Sequence, residues 1–254
     1  MPEIGEIARI VGRLNRHLVG RTIASVEAQS DTILFKDTTA EEFQTKLAGR
    51  TVQAAKQWGK YFWFVSLNSR RKLPLLTCLT QACDGQTTSS VDASGYVYPA
   101  ALNPSPPGAD SWKGIGMTGW IHFKDDPGSH YRASGKLKPS ETVWPPRFHK
   151  FILKLQGSTN ELAFVDARRL ARIRLIHHPD GNQLRSLPPL KENGPDPVIE
   201  PVSLEWLQTQ LKSRKVPIKA WLLDQKAIAG IGNWVGYVAC RGVLVECADG
   251  RRQR

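Results

Sequence analysis

Apolar residues never run on in this chain for the roughly 18 positions that would let a helix cross a bilayer, so no membrane-spanning segment is expected. The first residues also lack the basic and apolar regions of a secretory signal, which predicts an intracellular protein. Cysteine is scarce. The four present, Cys78, Cys83, Cys240 and Cys247, are separated within each pair by four and six residues. Structural zinc sites usually draw on C-x-x-C pairs, so these are read as reduced thiols, and no metal is expected. Acidic residues are the most telling shortage: 23 Asp and Glu stand against 35 Lys and Arg, a net charge of +12. An excess of this size points to a polyanionic partner, with nucleic acid the leading class. An anionic membrane surface would call for a basic amphipathic helix or a lipidation signal, and neither is found.

At 254 residues and 41% hydrophobic content, the chain can hold one large or two modest domains. Ile4, Ile7, Val11, Leu14 and Leu18 step by three or four and share one helix face, and Gly20 stops that helix. Strands are expected over residues 21–28, 51–57, 60–67, 117–123, 151–156, 162–166 and 172–176, with a short helix at 40–47. Between residues 68 and 114 the patterning dissolves into Ser, Pro and Gly, which predicts a disordered insertion. A Pro-rich linker follows at 187–201. Beyond it, Ser203 is placed to cap one helix, Pro217 to open a second, and a third begins near Trp234. The expected class is α+β. An N-terminal antiparallel β-sandwich flanked by a helix (1–186) precedes a small helical domain (202–247) and a basic tail (248–254).

Several short stretches could carry chemistry. Removal of Met1 would leave Pro2 as a secondary amine, and an α-amino group titrates near pH ~8, so part of it is nucleophilic at neutral pH. Glu3 could move a proton beside it. The competing reading is a proline that merely starts a helix. Arg168, Arg169 and Arg172 cluster at a strand end, where guanidinium groups could grip phosphate or read a base edge, or simply be solvated. Met117, between Gly116 and Gly119, could wedge into a base stack or be core. Gly230-Ile231-Gly232-Asn233 offers backbone N–H groups at a helix start as a phosphate cradle, or is a plain turn. Lys60, after Gly59, could reach a phosphate or the reaction centre.

In their order along the chain these stretches resemble the formamidopyrimidine-DNA glycosylases of the Fpg/Nei family, in its eukaryotic, fungal or plant-like form. The matching motifs are Pro2-Glu3-x-x-Glu6, Gly59-Lys60-Tyr61, Gly116-Met117-Thr118-Gly119, Asp166-Ala167-Arg168-Arg169, Gly194-Pro195-Asp196-Pro197 and Ile218-Lys219-x-Trp221-Leu222-x-Asp224-Gln225 leading into Gly230-Ile231-Gly232-Asn233. The resemblance covers residues 1–67 and about 115–236, and its last stretch corresponds to a helix–two-turn–helix. It implies that Pro2 attacks the sugar's anomeric carbon to form a Schiff base. Glu3 would supply the acid function, and Lys60 would assist elimination. Met117 and Arg168 would fill the gap left by a flipped nucleotide, while Asn233, Lys215 and His149 would hold backbone phosphates, with Glu6 also at the DNA side. Extrusion and plugging of this kind are what chemistry on a sugar inside a duplex requires. No cofactor is implied. The partner would be double-stranded DNA carrying oxidised bases or abasic sites, met by a monomer in the nucleus and also the mitochondrion.

The chain departs from the family in three places. Leu170 stands where the family carries Phe beside its arginines. The apolar segment that joins the Lys-bearing and Met-bearing strands is not visible in 68–114. Past Gly236 the acidic helix and the C-terminal finger are replaced by sequence that ends at Arg254, so an incomplete helical domain is expected. Translated non-coding sequence or alternative splicing would account for both of the latter. Two readings result: a bifunctional DNA glycosylase and abasic-site lyase acting in base excision repair, or a weakly active or non-catalytic nucleic-acid-binding protein that keeps the fold.

Overall fold

A computed structural model of the chain describes residues 3–68, 74–80, 119–126, 143–177, 183–212 and 214–248. Helix α1, Ile4–His17, buries Ile7, Ile10, Val11 and Leu14 on the face that their spacing predicts. Strand β1 (Ile23–Ala28) and helix α2 (Ala40–Leu47) follow, α2 opened by the Thr39 hydroxyl accepting the Glu42 N–H. Then come β2 (Arg50–Trp58), β3 (Tyr61–Asn68), β4 (Pro74–Thr80), β5 (Trp120–Phe123), β6 (His149–Leu155), β7 (Glu161–Val165) and β8 (Arg172–His177). They form two four-stranded sheets, ordered β1-β6-β7-β5 and β2-β3-β4-β8, with every pairing antiparallel. One apolar core lies between them. Phe151, Leu153 and Phe164 come from the first sheet, Val52, Phe62, Phe64 and Leu79 from the second, and α1 adds its buried face.

Strand β4 corrects one expectation. It lies inside the stretch read as a disordered insertion, yet it is an inner strand, bonded to β3 on one side and β8 on the other. Leu75, Thr77 and Leu79 are buried. Seven residues of mixed character between a basic run and a polar, Pro-rich one carry little periodicity of their own; pairing on both edges supplies the order. In the chain this segment follows the Lys60 strand and precedes β5. The rest of 81–114 lies outside the described residues.

The stretch expected as a linker is packed down as a strap. One short 3-10 turn, Gln183–Ser186, precedes it and a second, Leu190–Glu192, lies within it, and Leu190 and Asp196 are completely buried. Arg185 braces it: the guanidinium donates to the carbonyls of Leu190 (2.7 Å) and Asn193 (2.9 Å) and lies 4.2 Å from the Trp58 ring centroid. The helical domain then comprises α3 (Leu204–Lys212), α4 (Ile218–Leu223) and α5 (Asn233–Ala248). Ser203 caps α3 through the Trp206 N–H, as its position predicts. Helix α5 runs on past Gly236, so the sequence that departs from the family there continues the helix. Among the described residues, no helix is long and apolar enough to cross a membrane.

Candidate active site and nucleic-acid interface

The first turn of α1, the Gly59-Lys60 turn between β2 and β3, the strap and the start of α5 meet on one seam. Glu3 is the N-cap of α1, and its backbone N–H donates to the Glu6 carboxylate at 2.9 Å. The carboxylate of Glu3 itself reaches further. It crosses to the start of α5, accepting the N–H groups of Trp234 (Oε1, 2.6 Å) and Val235 (Oε2, 2.9 Å). Gly232, just before α5, has no side chain to do this, and a Cβ there would lie 2.5 Å from Glu3 Oε1. Glu3 thus acts as the cap of a helix 231 positions further on. Burial pushes the Glu6 carboxyl above its ordinary value, offset in part by the hydrogen bond from Glu3.

The neighbouring contacts are as close. Gly230 sits at φ 92° with its carbonyl accepting the Ile4 N–H at 3.1 Å, and a Cβ on it would meet three Ile4 carbons within 2.9 Å. Gly59, at φ 58°, lies against Ala229 and the Gly230 N–H, so close that a Cβ would come within 2.8 Å of Ala229 Cβ. Its N–H donates to Asp196 Oδ2 at 2.7 Å, while Asp196 Oδ1 accepts the N–H groups of Val198 and Ile199. The Trp58 indole N–H donates to the Gly194 carbonyl at 3.0 Å. Lys60, one step on, is buried, 5% exposed. Gln225 ties the turn before α5 together. Its amide nitrogen donates to the carbonyls of Leu223 and Ile231, and its oxygen accepts the Gly230 N–H, each at 2.9 Å.

Backbone N–H groups in and just after the turn Gly230–Asn233, read as a phosphate cradle, are used within the chain. The N–H groups of Trp234 and Val235 are taken by Glu3, that of Gly230 by Gln225, and that of Gly236 by the Gly232 carbonyl. The helix start already holds an anion, and it belongs to this chain. Asn233, the first residue of α5, is exposed, as is Lys215 in the loop between α3 and α4. Pro2 and Met117 lie outside the described residues.

A second cluster gathers at the turn between β7 and β8. Buried Asp166 accepts the N–H groups of Arg168 (3.2 Å) and Ala171 (2.8 Å), fixing the turn from within. Of the three arginines there, two have structural work. Arg169, at φ 56°, donates to both oxygens of buried Asp31 at 2.8 Å each, with Lys150 adding a third contact at 3.2 Å. Arg172 donates to the carbonyls of Arg169 and Ala171. Arg168 is exposed at the tip. The opening strand residue of β6, His149, has both ring nitrogens engaged. One faces the Pro146 carbonyl (3.0 Å) and the other the Gln29 amide nitrogen (3.1 Å). A carbonyl only accepts, so Nδ1 carries the proton, and in the neutral ring Nε2 accepts from Gln29. The imidazole thus ties β6 to the residues on either side of it.

Asp31 has a measurable consequence. Burial would raise its carboxyl, but the hydrogen bonds from Arg169, Leu34 N–H, Lys150 and Ile33 N–H outweigh that and hold it well below the usual carboxylate range. A depressed pKa contributes stability that is present above the unfolded value of 3.8 and is lost as pH falls through the folded one. Asp31→Asn is expected to cost about 2–4 kcal/mol at pH 7 and to flatten the loss of stability on acidification below pH ~4, read by urea unfolding at several pH values.

Comparison with known proteins matches residues 1–173 to the formamidopyrimidine-DNA glycosylase N-terminal domain and residues 193–238 to the formamidopyrimidine-DNA glycosylase H2TH domain. The Arabidopsis thaliana formamidopyrimidine-DNA glycosylase is 28% identical over 235 residues, 92% of this chain and 48% of that protein. The Bacillus subtilis enzyme of the same name is 24% identical over 233 residues, 92% of this chain and 63% of its own length. The chain therefore spans between about half and two-thirds of the relatives it matches. Among solved structures, the Lactococcus lactis Fpg in complex with abasic-site DNA superposes with a TM-score of 0.58 at 19% identity, covering 91% of this chain and 64% of that one. At that identity the likeness is one of fold.

Proposed function

The chain belongs to the formamidopyrimidine-DNA glycosylase family, and on that footing we propose that it is a bifunctional DNA glycosylase and abasic-site lyase. It acts on oxidised bases of the formamidopyrimidine type in base excision repair, in the nucleus and the mitochondrion. In this reading the Pro2 nitrogen attacks C1′ of the damaged nucleotide. The C1′–N bond to the base breaks and the base leaves with a proton; the C1′–O4′ bond then opens, O4′ takes up the proton that the Pro2 nitrogen releases, and the ring-opened sugar remains on Pro2 as an iminium ion. Loss of a C2′ proton then expels the 3′ phosphate by β-elimination, and water hydrolyses the iminium to free Pro2.

The observation that carries the reading is the placement of Glu3. The residue next to Pro2 is locked by its carboxylate into the seam on which the Gly59-Lys60 turn also closes. With both carboxylate oxygens held by backbone N–H groups beside Pro2, Glu3 suits the proton transfer its motif suggests and stabilisation of the cationic iminium. Exposed Arg168 is free of its neighbours' structural duties and suits the void left by a flipped nucleotide, while Lys215 and Asn233 suit phosphate contact.

The test is covalent trapping. With duplex DNA carrying an abasic or formamidopyrimidine site, borohydride should fix a protein–DNA adduct that is lost in Pro2→Gly. The intact mass should show Met1 removed. Salt-dependent binding with no adduct from the wild-type protein would overturn the enzyme and leave a non-catalytic binding module.

A further inference from the structure

Phe148 is held in a conformation that the fold itself does not reward. Its φ is 62°, in the left-handed region where a bulky side chain is strained, and it is 49% exposed. Glycine would meet the backbone requirement without strain. The ring adds little burial in return.

The backbone around it is fixed from both sides. The Phe148 carbonyl accepts the Asp166 N–H at 3.1 Å. The next residue, His149, donates its own N–H to Pro146, and its ring bridges Pro146 and Gln29. Above the Phe148 ring lies the Arg147 guanidinium, 4.6 Å from the centroid. The same Asp166 fixes the turn that carries Arg168. One buried residue thus sets the position of two outward groups, an aromatic ring paired with a cation and a second guanidinium. Leu170, a smaller exposed apolar side chain, belongs to the same turn.

We propose that Phe148 is a stacking platform for an unpaired base of duplex DNA beside the Arg168 turn, with Arg147 meeting the adjoining phosphate. The inference rests on the reading of the chain as a protein of damaged DNA. An aromatic face suits this partner because every base presents a π surface, and the flanking guanidinium groups supply the charge that a phosphate backbone requires. A protein partner for the same ring would have to match two exposed arginines as well.

Binding of a duplex with a reduced abasic site separates the roles. Phe148→Ala should weaken binding about ten-fold with an unchanged salt dependence, and Phe148→Trp should bind within about two-fold of wild type. Arg147→Ala should instead lower the slope of log K against log salt by about one. Phe148→Gly should weaken binding like the alanine variant while its thermal midpoint stays level or rises, because the strain is relieved. A purely structural ring would lower the midpoint in Phe148→Gly and leave binding by the folded fraction unchanged; either result overturns the inference. If wild type shows no preference for the abasic duplex, the functional reading falls first. If wild type binds and traps while Phe148→Ala and Phe148→Gly bind within two-fold of it, the stacking platform alone is overturned.

Discussion

Replacing Glu3 by alanine should abolish turnover and unlatch the helical domain together. The carboxylate is 9% exposed and accepts two backbone N–H groups across the seam, so its removal leaves the amides of Trp234 and Val235 without their partners. Hydrogen bonds to a charged group contribute about 1.5–3 kcal/mol each, which puts the loss near 3–5 kcal/mol in urea unfolding. Single-turnover excision should fall by roughly 10³-fold or more, the scale of losing a preorganised electrostatic partner at the reacting centre. Two gentler variants divide the roles. Glu3→Gln keeps one acceptor oxygen but points an NH₂ at the other backbone N–H, so both stability and rate should fall part way. Glu3→Asp keeps the charge and a good N-cap for α1 but is one methylene too short to reach α5. Faster hydrogen exchange at Trp234 and Val235 in Glu3→Asp would locate the loss at the seam. Full activity there, with protected amides, would remove the latch from the account.

The second large effect belongs to Gly230. At φ 92° an alanine is strained whatever the space, and here a Cβ would also fall 2.8 Å from Ile4 Cβ. Left-handed strain and overpacking against the first turn of α1 together make Gly230→Ala cost about 3 kcal/mol. The clash pushes the start of α1, and with it Glu3, away from α5. Excision should therefore fall much further than the loss of folded protein explains, while the sandwich core of Phe151, Phe164 and Phe62 keeps its cooperative unfolding. Ile4→Ala combined with Gly230→Ala should recover part of the lost stability, because the atoms in conflict are those of Ile4. A double variant no better than the single would place the damage in the backbone.

Much of the frame is legible in the chain because it depends on local signals. Helix α2 falls on the residues that its spacing marks, and the apolar step from Ile4 to Leu14 gives the buried face of α1. Ser203 caps the helix it precedes. Strand β4 is different: its order comes from neighbours on both edges, which a linear reading does not see. The site follows the same division. Glu3 and Lys60 stand out as residue types beside Pro2 and Gly59, and the fold brings both to one seam. Gly230-x-Gly232 reads as an anion cradle, and the helix start just after it takes the carboxylate of Glu3, distant in sequence. Asp196 and Gln225 organise the seam through bonds to backbone groups of other segments. Both lie in stretches that match the family, but the bonds they make are visible only in the fold. The three arginines look equivalent in sequence; Asp31, far from them along the chain, is what sets Arg169 apart from Arg168.

The contact between Glu3 and α5 also fixes when the site can exist. Glu3 leaves the ribosome well before Trp234, which lies 231 positions on. A contact of such separation carries the full entropy of closing that loop and forms only once the intervening sandwich has shortened it. The emerging chain can therefore fold its sheets and shield its core long before these two residues meet. Until they do, the seam around Glu3 is unassembled, and on the proposed reading the chemistry there belongs to the finished molecule alone.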